Sequence, residues 1–173
     1  MSRLAYLVYA GLTGNYRPAL TKSLATADCV VMDAFGDGQS NEQMMRFALK
    51  TGLPLIFPQI LEKDYLQLCG IENPRVSCLG KLDPDHNAHD VLCLATDMMK
   101  LEGFEHPIVV AHPYEVTRCA AVLVRLGFVP TVPEGLEAIG FDPTSSQKRT
   151  RWRWLWRLRE PLVVIYFWYR GWI

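Results

Sequence analysis

Within seven residues, His112, Tyr114, Glu115 and Arg118 bring together four side chains that can move a proton or hold an anion. An imidazole titrates near neutral pH, which makes His112 the one candidate proton carrier under ordinary conditions. Glu115 is a candidate acid or base. The guanidinium of Arg118 suits bidentate contact with an anionic group, and Tyr114 offers a hydroxyl. Two other stretches are as polar. "DAFGDGQSNE" holds Asp33, Gly36, Gly38, Ser40, Asn41 and Glu42, and "DPDHNAHD" holds Asp83, Asp85, His86, Asn87, His89 and Asp90. Glu42 and Asp90 join Glu115 as candidate acid/base groups, and His112 with Glu42 or Glu115 is the candidate catalytic set. Asp33, Gly36, Gly38, Ser40, Asn41, Asn87, Asp90, Tyr114 and Arg118 are candidate ligand contacts. Backbone N–H groups near Ser40–Glu42 are a candidate anion site at a helix start.

Each stretch also has an ordinary reading. The glycines of "FGDGQSNE" suit a turn, with Ser40 or Asn41 capping a helix and Glu42 in its first turn. The stretch matches neither a P-loop nor G-x-G-x-x-G. "DPDHNAHD" suits a solvated turn. His86 and His89 are three apart beside Asp90, but no His-Glu-x-x-His or cysteine cluster accompanies them, and no bound metal is expected. Glu115 and Arg118 have the spacing of an exposed helical ion pair.

Topology is what gives these stretches a common purpose. Strands read at Leu4–Ala10, Cys29–Ala34, Leu53–Phe57, Arg75–Leu79, Pro107–Ala111 and Phe128–Val132. Helices read at Tyr16–Ala27, Asn41–Thr51, Glu62–Cys69, Asn87–Leu101 and Glu115–Leu126. This alternation, with near-continuous apolar strands such as "PIVVA", predicts a three-layer α/β/α Rossmann-like sandwich with a mostly parallel sheet. Ligands of such sheets lie beyond the carboxyl ends of the strands. Every polar stretch above follows a strand or opens a helix, as do Gly11, Thr13 and Gly14 after the first expected strand.

Composition narrows the class. The chain has 173 residues, half of them hydrophobic, with 18 basic and 18 acidic side chains. It contains no run near the roughly 20 apolar residues that span a bilayer. The opening "MSRLAYLVYAGL" lacks a clear signal-peptide cleavage site. Five scattered cysteines without Cys-x-x-Cys suggest reduced thiols and a cytoplasmic setting.

Charge is uneven. Ser145–Ile173 carries seven Lys and Arg against one acid, Glu160, so this segment is six charges positive and the remainder six negative. "FDPTSSQKRT" is the candidate hinge, dividing a body (1–144) from a Trp/Arg-rich tail (145–173). On a helix, Arg149, Arg153 and Arg157 share one face, and Trp154, Leu158 and Leu162 share another. The favoured expectation is a final helix packed on the domain, with Pro161 starting a new helix. A tail resting on an anionic membrane is the alternative. The acidic body argues against a nucleic-acid partner.

"CVVMDAFGDGQSNEQMMRFALKTGLP", a helix opening near "NAHD", and "PIVVAHPYEVTRCAAVLVRLGF" together resemble the ElyC/SanA/YdcF bacterial family over about Leu4–Val132. Glu42 matches the family's acidic position, Asn87-Ala88 its "N-A", Arg118 its arginine and Leu126–Phe128 its helix end. The closing "LREPLVVIYFWYRGWI" is similar to the way some members end. The family histidine falls at Glu115, whereas this chain has His112 three residues earlier. The resemblance implies a Rossmann-like fold, a link to the cell envelope in some members, and a nucleotide-like or S-adenosylmethionine-like ligand. The expectation is a protein that binds a small anionic or nucleotide-like molecule at the sheet's C-terminal rim. A hydrolase or group transferase at that rim and an envelope-associated scaffold with a membrane-contacting tail are the alternatives.

Overall fold

The computed structural model describes residues 2–16, 26–69, 76–79 and 87–173. The expected helix Tyr16–Ala27 falls almost wholly outside them, as do Asp83, Asp85 and His86. Four strands form one parallel sheet: β1 (Cys29–Met32), β2 (Leu55–Pro58), β3 (Val76–Leu79) and β4 (Pro107–Val110), in the order β3-β2-β1-β4. Val31 pairs with Ile56 on one side and Val109 on the other. Every residue of β1, β2 and β4 is buried, which is why their sequences run apolar without alternation.

The helices joining them are α2 (Gln39–Leu49), α3 (Glu62–Cys69) and α4 (Ala88–Glu102), and α5 (Val116–Arg125) follows β4. The chain steps outward from β1 to β3, then crosses back over β2 and β1 to reach β4. Right-handed crossovers therefore place α2 and α3 on one face of the sheet and α4 and α5 on the other, and α2 packs on α3 as α4 does on α5. This is the expected three-layer, Rossmann-like sandwich. Only Thr131 of the expected last strand pairs, parallel to Ile108. Pro130 and Pro133 on either side limit further ladder bonding.

Leu4–Ala10 is not a strand. It lies within α1 (Arg3–Thr13). The Ser2 hydroxyl accepts from Ala5 N–H at 3.2 Å, and Gly14 closes the other end at φ 71°, its N–H bonded to Ala10. Leu7, Ala10 and Gly11, spaced three and one apart, are the buried face. The tail folds as α6 (Lys148–Arg151) and α7 (Arg153–Tyr169), and α1 packs along α7. At Gly11 a side chain would sit 2.8 Å from Glu160 Cγ, so a glycine lets the two helices approach. Pro161 starts no helix. It lies inside α7, which runs through it unbroken. Trp156, Glu160, Val164 and Phe167 are the buried face of α7.

Candidate functional site

The order in which the chain lays down its strands reverses between β1 and β4, and a crevice opens there at the carboxyl ends of the strands. The cavity measures about 890 Å³. The exits of β1, β2 and β4 reach it. Asp33, Ala34, Phe35 and Gly36 come from the loop after β1, Gln59 and Ile60 from the turn after β2. Asn87 enters from the start of α4, and Glu115 and Arg118 from the start of α5. The tail supplies the rest: Arg149 and Thr150 from α6, and Trp156, Arg159, Tyr166 and Phe167 from α7.

Local chemistry fixes each piece. Asn41 Oδ1 accepts from Phe35 N–H at 2.8 Å, and its amide donates to Gly36 O at 3.0 Å, which ties down the loop after β1. Gly36 has φ 73°, and a side chain there would meet Thr150 Oγ1 at 2.5 Å, so the loop can touch α6 only through a glycine. Asn87 caps α4 by accepting from His89 N–H at 2.8 Å, and Asp90 returns a bond to the Asn87 backbone N–H at 3.2 Å.

The wall between β1 and α5 holds four buried ionisable groups: Asp33, Glu115, Arg118 and Glu160. Arg118 Nε donates to Glu160 Oε1 at 2.5 Å, and its Nη2 reaches Glu115 Oε2 at 3.3 Å and Glu160 Oε2 at 3.4 Å. Asp33 accepts from Ala34 N–H at 2.9 Å and from the Cys119 thiol at 3.6 Å. Two carboxyls thus pair with Arg118 directly and Asp33 feels its charge, while Arg159 acts on Glu115 and Glu160 from further off. Burial works against the charge of Arg118, but Glu160 and Glu115 outweigh it and hold the guanidinium above its ordinary range. Burial raises the pKa of Asp33, with Arg118 opposing, and that of Glu160, again against Arg118. Burial, then the charge of Asp33, push Glu115 well above the carboxylate range. Glu115 is therefore held towards its neutral acid form, with Oε1 buried and without a hydrogen-bond partner among the described residues.

The cavity is cationic on its tail side. Burial and the neighbouring charge of Arg149 lower the pKa of Arg159. No carboxylate lies within ion-pair distance of Arg149 or Arg159 among the described residues. Arg159 instead rests over the Trp156 ring at 5.0 Å.

Of the residues singled out from the sequence, Asp33, Gly36, Asn87, Glu115 and Arg118 meet at this cavity. Gly38, Ser40, Asn41, Asp90, Tyr114, His112 and Glu42 do not line it. Glu42 points away on α2, pairing with Arg46 at 2.7 Å on the surface, and has no part in the buried cluster. Asp90 is spent on the cap of α4. Ser40 donates to Gly140 O at 2.7 Å. The Tyr114 ring packs over Gly14, where an added side chain would meet it at 2.5 Å. His112 is fully buried, its ring stacked on Phe35 at 3.7 Å and edged by Phe141 at 4.6 Å. Burial, aided by Arg153, lowers its pKa to about 3, so the ring stays neutral and does not take up a second proton near pH 7. Arg118 is not free for a ligand's anion, because Glu160 already occupies its fork.

The expected anion site at Ser40–Glu42 is also filled from within. Asp142 Oδ2 accepts from Gln39 N–H at 2.7 Å, and Asn41 N–H bonds to Gly38 O. At Gly38 a side chain would lie 1.8 Å from that same Asp142 oxygen. Asp142 is thus the stand-in anion at the start of α2. Asp142→Ala is expected to lower stability by about 1 kcal/mol, the usual worth of a capping side chain, as read from a urea unfolding midpoint.

Glu160, Arg149, Arg159 and Trp156 were not foreseen as site residues. One signal was present: Glu160 is the lone acid in a basic, aromatic segment. No protein-family model matches the chain, and no curated protein matches it.

Proposed function

We propose that the protein binds a small anionic, nucleotide-like molecule in the cavity at the β1/β4 switch point. The observation that carries this reading is the pair Arg149 and Arg159, two guanidinium groups that line the cavity and repel each other, with no carboxylate within ion-pair distance of either among the described residues. An anion entering there relieves the repulsion and gains charge-assisted hydrogen bonds. Tyr166, half-exposed at the cavity, offers a flat face for a planar ring. Gln59, Asn87, Asp33 and Glu115 offer amide and carboxyl partners for hydroxyl or amino groups. Resemblance to the ElyC/SanA/YdcF family supports the same reading, since two of the residues that carry it, Asn87 and Arg118, meet at this cavity.

The test compares AMP, adenosine and inorganic phosphate in thermal shift and calorimetric titration. AMP is expected to raise the melting temperature more than adenosine or phosphate alone. Arg149→Ala and Arg159→Ala are each expected to weaken AMP binding about tenfold, the worth of a hydrogen bond to a charged group. A melting temperature unmoved by all three ligands overturns the proposal, as does unchanged AMP affinity in the double variant.

One observation favours a second reading, a hydrolase or group transferase at the same rim. Glu115 is a carboxyl held as its neutral acid beside a cavity, which is the state a general acid needs. In that reading Glu115 takes the role first assigned to His112.

A further inference from the structure

α7 is apolar on two opposite sides. Trp156, Val164 and Phe167 face inward and are buried. On the other side Trp154, Leu158, Leu162, Ile165 and Tyr169 are 59, 66, 67, 47 and 81% exposed. Their spacing of four, four, three and four keeps them on one stripe, a little over four turns long. Folding has used the inward face and left the stripe uncovered among the described residues. A continuous exposed stripe of this kind marks an interaction surface, because isolated exposed apolar residues would be scattered.

The flanks say what meets it. Arg157 borders the stripe along its length, and Arg153 and Arg170 are exposed at the two ends of the helix. The single acid of α7, Glu160, is buried against Arg118. The whole outer surface of the helix is therefore apolar or cationic. A second copy of the chain docking stripe to stripe would bring like-charged arginines together. An anionic bilayer surface brings phosphates to those arginines and an apolar boundary to the stripe. Trp154 and Trp168, 59 and 55% exposed near the two ends of the helix, are the ring type favoured at that boundary. No helix among the described residues is long and apolar enough to cross a membrane, so the contact is one of lying on the surface.

We infer that α7 is an interfacial docking helix that seats the protein on anionic lipid through the Trp154–Tyr169 stripe and its flanking arginines, with the inward face still packed on the domain.

The experiment is cosedimentation with vesicles of equimolar phosphatidylglycerol and phosphatidylcholine, and with phosphatidylcholine alone, using the full chain. Binding is expected to the anionic vesicles, with a blue shift of tryptophan emission, and to fall as salt is raised. Leu158→Glu with Leu162→Glu, both on the open side, is expected to cut partition at least about tenfold. A far-ultraviolet spectrum and melting temperature like the wild type confirm that the variant is folded. If it is not, Leu158→Ser with Leu162→Ser serves in its place. Absence of binding to either vesicle, or equal binding of wild type and folded variant, overturns the inference. So does a concentration-dependent dimer that the same substitutions convert to monomer while vesicle binding is absent. AMP binding in solution is read separately, so failure here leaves the cavity reading standing.

Discussion

Glu160→Ala is expected to lower unfolding stability by about 3 kcal/mol, the low end of the cost of stripping one partner from a buried ion pair. Glu160 is fully buried, and its partner Arg118 is buried beside it. Removing the carboxylate leaves a guanidinium away from water with one remaining counter-charge within reach, Glu115 at 3.3 Å. That reserve keeps the cost at the low end, because Glu115 can ionise once Glu160 is gone. The same argument makes the two acids non-additive. Glu160→Ala combined with Glu115→Gln removes the reserve as well, and the double variant is expected to lose more than the sum of the singles. Chemical denaturation of the four species measures the coupling. Glu42→Ala is the control, since its pair with Arg46 is surface-exposed and is worth about 0.5 kcal/mol or less. A Glu160→Ala protein as stable as the Glu42→Ala protein would show that Arg118 does not depend on α7.

Glu115→Gln on its own gives the second large effect, and it depends on pH. The folded-state pKa of Glu115 lies well above the unfolded value because of burial and the charge of Asp33. A carboxyl shifted upward favours the folded state fully only below the unfolded pKa, about 4.3 for glutamate. As pH climbs from there towards the folded pKa, the wild type loses stability at up to about 1.4 kcal/mol per pH unit. Glutamine takes up no proton and escapes that loss, and Arg118 keeps Glu160. The stability of Glu115→Gln relative to wild type is therefore expected to rise steadily with pH above about 4.3. Asp33 and Glu160, whose pKa values are also raised, are present in both proteins, and the loss of Glu115 as a neighbouring anion eases their own titration in the same direction. Melting curves across pH 4 to 8 check it. A difference independent of pH would mean that Glu115 ionises in the fold as freely as it does in the unfolded chain.

The sheet could be read from the sequence because parallel strands buried on both faces leave a plain record, as in "CVVM" and "PIVV". The convergence of Asp33, Asn87, Glu115 and Arg118 followed from the strands running in one direction. Leu4–Ala10 went astray because a short apolar run does not distinguish strand from buried helix. The distinguishing marks lay outside the run, in Ser2 as a cap and Gly14 as a stop. Pro161 read as a helix start because the sequence does not show that packing of the inward face before and after Pro161 will carry the helix through a missing N–H. Glu42 went astray for a local reason: its partner Arg46, four residues on, turns it outward. The tail's part in the site was out of reach. Arg118 meets Glu160 across 42 residues, and no spacing rule encodes such a meeting.

The two faces of α7 give that helix an obligation beyond either of them. Trp156, Arg159 and Phe167 wall the cavity, while the stripe on the far side stands open, and the bond from Glu160 to Arg118 fixes the helix in one register. Cavity and outer surface are thus two ends of one strut. By thermodynamic reciprocity, whatever factor an occupant of the cavity applies to the affinity of the outer face, an occupant of the outer face must return to the cavity in full.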